Sequence, residues 1–275
     1  MNWESLDWAA LDRLRGTFLT GKPGDYWRSR SDLENYDFTY GQRIAWKWNE
    51  VLAELRRLNW TPPAATVLDW GCGSGVAGRT VCEFFGITTR RVFDRSDLAM
   101  SYAGGERWHG EPPGILVMSH VLNELDAMPD VVEQADAVLW VEPGTFADSH
   151  ALVAVREKLR HRFHVVAPCT HRERCGIAGK DWCHFFADTP AGVMNDPNWV
   201  RFAQRAGIDL RSLPYSYLVL DRQSSNAGTR VVGEPRRYKG YAKVLGCDAT
   251  GVREVMVQKR DVALKTIRSG SILAG

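Results

Sequence analysis

The chain has 275 residues, 44% of them hydrophobic and 25% charged, a balance that suits a folded domain with a large core and excludes a disordered or fibrous chain. No apolar run reaches the roughly 20 residues of a membrane span, and Met1 to Trp8 carry neither a basic-then-apolar secretory signal nor an Arg-rich transit bias, so a cytoplasmic protein without membrane contact is expected. The net charge of +2 hides a polarity: residues 1–150 hold 14 Lys and Arg against 22 Asp and Glu, and residues 151–275 hold 21 against 11, so the second half is expected to meet an anionic partner, most commonly nucleic acid.

Residues 1–62 are predicted to form a helical segment. Ile44, Trp48, Val51, Leu52, Leu55 and Leu58 recur at helical spacing until Thr61-Pro62-Pro63 interrupts them. Trp27, Tyr36, Tyr40 and Arg43 lie in this segment and could close over a ligand. From residue 63 to 167 short apolar strands alternate with helices. Strands are predicted at 67–69, 91–94, 115–118, 137–141 and 163–167, and helices at 77–85, 97–103 and 148–159. Such alternation implies an α/β fold with a mostly parallel sheet. Residues 168–275 open with an irregular stretch rich in Cys, His, Arg and Gly, followed by a helix at 198–206 and strands at 215–220, 239–245 and 252–257. Those last strands are expected to complete the main sheet in antiparallel fashion.

The most specific local motif is Val67-Leu-Asp-Trp-Gly-Cys-Gly-Ser-Gly75. It leaves a strand, turns on Gly71, Gly73 and Gly75, and enters a helix, so that a ligand can approach backbone N–H groups. Asp69 precedes the first glycine by two residues, and Asp94 ends the next strand, where an acid can accept hydrogen bonds from both ribose hydroxyls. The third glycine comes too early for the G-x-G-x-x-G dinucleotide pattern. This arrangement resembles the S-adenosylmethionine (SAM) methyltransferases, whose Rossmann-like fold it implies; an NAD-type or vestigial loop is the alternative. The resemblance implies that Asp69 orients the methionine amino end and that Asp94 holds the ribose. Ser119, His120, Asn123 and Glu142 follow the third and fourth strands, at the carboxyl end where open sheets bind ligands; loop or helix-cap chemistry is the competing explanation for each. No residue identifies itself as a catalytic base, although His120 could serve. Cys72 and Cys82 look structural.

The second motif is C-x5-C-x7-C, formed by Cys169, Cys175 and Cys183, with Cys247 far along the chain. Four thiolates suit tetrahedral zinc or an iron–sulfur cluster. The absence of two tight C-x2-4-C pairs tilts the balance toward [4Fe–4S], with zinc and buried free thiols as alternatives.

Val-Leu-Asp-x-Gly-x-Gly-x-Gly, Ser-His-Val-Leu-Asn-Glu-Leu, Val-Glu-Pro-Gly-Thr, Ala-Pro-Cys-x-His and Asp-Trp-Cys-His-Phe occur in that order. From about Tyr36 to Val257 the chain thereby resembles the methyltransferase-like proteins of the mitochondrial small ribosomal subunit and their bacterial relatives. The resemblance implies a [4Fe–4S] cluster on Cys169, Cys175, Cys183 and Cys247, a role in small-subunit assembly, and contact with small-subunit rRNA or a ribosomal subunit precursor by a protein that is monomeric off the ribosome. Thr170 stands where the family usually has proline, and a proline after Cys175 is also missing. Three functions follow for comparison: an rRNA methyltransferase, a non-catalytic rRNA-binding assembly factor, and a small-molecule methyltransferase with a structural zinc. In the ribosomal readings the cluster is a staple that gathers Arg156, Lys158, Arg160, Arg162, Arg172 and Arg174, together with Arg230, Arg236, Arg237, Lys239 and Lys243, toward phosphates.

Overall fold

A computed structural model describes residues 1–20, 26–223, 228–260 and 264–273. The leading helices are α1 (Trp8–Thr20), α2 (Arg30–Tyr36) and α3 (Gln42–Arg57). A π-helical turn, Asp37–Gly41, joins the last two. Then follow β1 (Thr66–Trp70), α4 (Val76–Phe85), β2 (Thr89–Phe93), α5 (Asp97–Ala103), β3 (Glu106–Arg107), β4 (Ile115–Ser119), α6 (Val131–Gln134) and β5 (Ala137–Pro143). Next come α7 (Phe146–Leu159), β6 (His164–Ala167), β7 (Phe185–Phe186), α8 (Pro197–Ala206) and β8 (Pro214–Asp221). The remaining strands are β9 (Thr229–Arg237), β10 (Tyr241–Asp248), β11 (Gly251–Gln258) and β12 (Ile272–Leu273). No helix among the described residues is long and apolar enough to cross a membrane.

The chain divides into two compact units, 1–141 with 187–213, and 142–186 with 214–275. In the first, β3, β2, β1, β4 and β5 lie side by side in that order, every neighbouring pair parallel. Ile115, Leu116, Val117 and Met118 are fully buried, as are Ala137, Val138, Leu139 and Trp140. Unbroken apolar runs are what parallel strands covered on both faces require, which is why these strands were readable as such. Helix α3 buries Trp48, Val51, Leu52 and Leu55, the stripe visible in the sequence. Helix α8 begins at Asp196, whose side chain accepts from the Asn198 and Trp199 N–H groups, with Pro197 as first helical residue. Its Trp199, Phe202 and Ala206 pack with Leu6, Leu11 and Trp3.

In the second unit β8 pairs antiparallel with both β6 and β7. Strands β11, β10, β9 and β12 make a separate antiparallel sheet. The expectation that the strands near 239–245 and 252–257 would extend the main sheet is therefore corrected. They pair with β9, a strand whose charged and Pro-containing sequence, Glu234-Pro-Arg-Arg237, concealed it. Val231, Ala242 and Val244 form the core of this sheet with Leu264 and Ile267.

Candidate functional site

The glycine loop lies at the carboxyl end of β1. The Gly71 and Cys72 N–H groups donate to the Phe93 carbonyl at 2.7 and 3.0 Å, stitching the loop to β2. Gly71, Gly73 and Gly75 all have positive φ, and Gly75 is the N-cap of α4, so the helix starts directly from the turn. A Cβ on Gly71 would stand 2.6 Å from Val121 Cγ1; here glycine answers both conformation and space.

Asp94 follows β2 at the mouth of the loop. Its Oδ2 accepts from the Gly73 N–H at 2.8 Å and its Oδ1 from the Ser96 N–H at 2.9 Å. Asp94 and Gly71 line a cleft with Tyr26, Trp27, Arg95 and Glu124 among its other walls. The Tyr26 hydroxyl donates to Glu124 Oε1 at 3.2 Å, and Arg95 Nη2 donates to the Glu124 carbonyl at 2.6 Å. Burial raises the Glu124 carboxyl above its ordinary range, and burial with the nearby Glu124 charge raises the Tyr26 phenol. Trp27, named from the sequence, faces this cleft; Tyr26 and Glu124 were not singled out. Glu124 sits in the quoted Ser-His-Val-Leu-Asn-Glu run, so its place after the third strand was the available signal.

Asp69 is not a wall of the cleft. It is 1% exposed, and its Oδ2 accepts from the Gly78 N–H at 3.1 Å, with Arg90 at 3.9 Å. A Cβ at residue 78 would fall 2.5 Å from that oxygen, so Gly78 is the residue that lets helix and carboxylate touch. Burial pushes the Asp69 carboxyl up to about 7, against the lowering by Arg90 and the Gly78 N–H. Opposite the loop, Asp37 in the π-helical turn accepts from Ser74 Oγ at 2.9 Å and takes both its oxygens to Arg79 Nη2, at 2.8 and 2.7 Å. π-Turns commonly mark functional segments, and this one clamps the start of α4.

Ser119 and His120 form a half-buried hydrogen-bonded chain beside α3. Trp48 Nε1 donates to Ser119 Oγ at 3.0 Å, Ser119 Oγ is 3.1 Å from His120 Nδ1, and Lys47 Nζ is 3.3 Å from His120 Nε2. An ammonium can only donate, so Nε2 is the acceptor and Nδ1 carries the proton. Burial, then the charges of Lys47 and Arg43, hold His120 well below its ordinary value; it is neutral, with its lone pair turned to Lys47. Asn123 is exposed, and Glu142, on β5, is fully buried. Cys72 and Cys82 are buried thiols pushed upward by burial, Cys82 to about 11.

In the second unit, Cys169, Cys175, Cys183 and Cys247 all line one small pocket, with Arg156 beside them. Cys169 follows β6, Cys175 and Cys183 lie on the irregular loop, and Cys247 is on β10, opposite Arg230 of β9. The loop is held by side chains reaching its backbone. Ser149 and Ser216 both donate to the Cys183 carbonyl, at 2.7 and 2.8 Å. Arg230 Nε donates to the Pro168 carbonyl at 2.7 Å, and the Cys175 N–H donates to Glu157 Oε1 at 3.0 Å. Thr170 donates its hydroxyl to the Gly228 carbonyl at 2.6 Å. Arg156 Nε donates to Cys169 Sγ at 3.1 Å and its Nη2 to the His171 carbonyl at 3.0 Å. His171 Nε2 is 3.6 Å from Cys247 Sγ.

Burial and the neighbouring sulfurs raise Cys183 well above its ordinary value, and Cys247 to about 12. Three thiols held above their ordinary range, grouped with Cys169 and near the buried Arg156 and Arg230 guanidinium groups, fit an added cationic centre that would draw thiolates out. Among the described residues, no set of three or more His, Cys, Asp and Glu is arranged to hold a metal ion.

A family model described as "Mitochondrial small ribosomal subunit Rsm22" matches residues 87–270. The match includes Asp94, the Ser119–His120 pair and all four pocket cysteines, and it begins after the glycine loop. No curated protein matches the chain. Among solved structures, the chain is similar to the plantazolicin methyltransferase BpumL in complex with a desmethylPZN analogue and SAH, at 12% identity and TM-score 0.42, over 78% of this chain and 96% of that one. It is also similar to a SAM-dependent methyltransferase from Archaeoglobus fulgidus, at 14% identity and TM-score 0.32, over 64% and 94%.

Proposed function

Because the chain belongs to the family of the mitochondrial small ribosomal subunit protein Rsm22, we propose that it is a cytoplasmic, SAM-binding, methyltransferase-like protein that works with small-subunit rRNA during ribosome assembly and carries a structural [4Fe–4S] cluster. The observation that carries the cofactor reading is the junction of loop and acid: Asp94 meets the Gly73 N–H at the rim of a cleft walled by Tyr26, Trp27 and Glu124. Bound SAM would supply an electrophilic methyl group. The chain's own contribution is to orient: Asp94 is placed for ribose hydroxyls, the aromatic rings for a planar base, and the closed-in walls to keep water out. Asp69, Asp37 and Arg79 brace the loop from behind. The cluster would fix the irregular loop to β10, as metal binding supplies folding energy to segments without a core. Cys169, Cys175, Cys183 and Cys247 would hold it, with a single zinc ion on the same four thiolates as the alternative.

A binding role without turnover is the second reading. It is favoured by His120, whose basic nitrogen faces Lys47, which leaves it no lone pair for an acceptor's proton.

Calorimetric titration of the intact protein with SAM should give binding that Asp94→Ala removes; an intact protein that ignores SAM would sink the cofactor reading. Anaerobic purification should yield a brown protein with about four irons per chain. A colourless protein with one zinc would sink the cluster.

A further inference from the structure

Among the described residues, the sheet formed by β9 to β12 has an exposed end at the β9–β10 turn. Strands β9 and β10 meet at a tight turn closed by the Tyr238 N–H donating to the Tyr241 carbonyl at 2.8 Å. The two tyrosine rings stack, with centroids 4.6 Å apart and planes 17° apart. Tyr238 is nevertheless 48% exposed, so the partner ring covers one face and leaves the other to solvent. The Lys259 N–H donates to the Gly240 carbonyl at 3.0 Å, which brings the end of β11 against the turn. Ala242 and Val244 point into the sheet's core; by strand alternation Tyr241 and Lys243 take the opposite face, where Met256, the residue paired with Lys243, is 54% exposed.

Cations surround these rings. Arg236, Arg237, Lys239, Lys259 and Arg260 are exposed, and Lys243 is partly so. Glu254 pairs with both Arg236 and Lys243, one carboxylate for two cations, and Arg237 Nη2 donates to the Ile267 carbonyl at 2.5 Å. Among the described residues the surplus is positive, and it lies around a half-exposed aromatic ring. A phosphate chain with free bases matches both features at once: bases stack on tyrosine while cations track the backbone. A duplex has no free base face to offer, and an acidic protein surface would answer the cations but not the open ring face.

We propose that the β9–β10 turn, with the end of β11, is a docking surface for single-stranded RNA, one base stacking on Tyr238 and flanking phosphates meeting Lys239 and Lys259. This rests on the reading that RNA is the partner, and it specifies which surface and which form of RNA. The test is fluorescence anisotropy on the full chain with a labelled, unstructured 12-nucleotide RNA and a 12-base-pair RNA duplex. Wild type should prefer the single strand. Tyr238→Ala should weaken single-strand binding at least about fivefold without altering its salt dependence, and Tyr238→Phe should retain it. Lys239→Ala combined with Lys259→Ala should reduce the log–log salt slope by about 1.4. Wild-type affinity in Tyr238→Ala would overturn the proposal while RNA partnership stood, and would leave the patch to a protein. A wild type that bound neither RNA at low salt would overturn this surface and the RNA partnership together.

Discussion

Asp69 offers a titration that stability measurements should reveal. Its carboxyl is raised from an ordinary 3.8 to about 7, chiefly by burial. Between those values the folded protein holds the proton and the unfolded chain has lost it. Stability therefore falls as pH rises from about 4 to about 7 and is level above that, the reverse of a salt-bridged carboxylate. Three pH units at 1.36 kcal/mol each give about 4 kcal/mol over the whole range, of which about 3 kcal/mol falls between pH 5 and pH 8. Asp69→Asn keeps the shape and an acceptor for the Gly78 N–H but cannot ionise. Urea unfolding of both proteins at pH 5 and pH 8 cancels every titration they share. The variant should gain on wild type by about 3 kcal/mol from pH 5 to pH 8. A difference that stays level, or shrinks with pH, would show that Asp69 is solvated or fully neutralised by Arg90, and the account of it as a buried brace would fall.

Gly71→Ala should cost about 2–4 kcal/mol, from left-handed φ and the collision with Val121; urea midpoints with an unchanged m-value measure it. Asp37→Ala frees Ser74 and Arg79 together and should lower stability by about 1–3 kcal/mol while weakening SAM in a calorimeter. Arg156→Met should leave Cys169 and the His171 carbonyl without their donor, and iron per chain after anaerobic purification should drop well below that of wild type. Retained iron would mean that the guanidinium is dispensable to the pocket.

The buried strands and the glycine loop were legible because their signals are local. Ile115 to Met118 is apolar at every position, and Gly71, Gly73 and Gly75 occur where a strand must turn into a helix. Thr66–Trp70 and Thr89–Phe93 end where Asp69 and Asp94 were expected. What each acid does was not legible. Two carboxylates at equivalent strand ends differ because Gly78 admits one against a helix and Gly73 draws the other to the rim. Tyr26 and Glu124, 98 residues apart, share a hydrogen bond that no spacing rule could foresee. Strand β9 was missed because Glu234, Arg236 and Arg237 lie at its exposed end.

Residue types and short spacings alone determined the alternating α/β core, the turn on three glycines and the identity of the four cysteines. Only tertiary structure decided that those cysteines border one pocket beside two guanidinium groups, that His120 is neutral and turned to Lys47, and that the last strands make a sheet of their own. The division has a physical cause. Backbone turns and apolar periodicity are set by neighbours a few residues away, whereas ionisation, hydrogen-bond direction and convergence depend on what long-range packing brings within a few ångströms and shields from water.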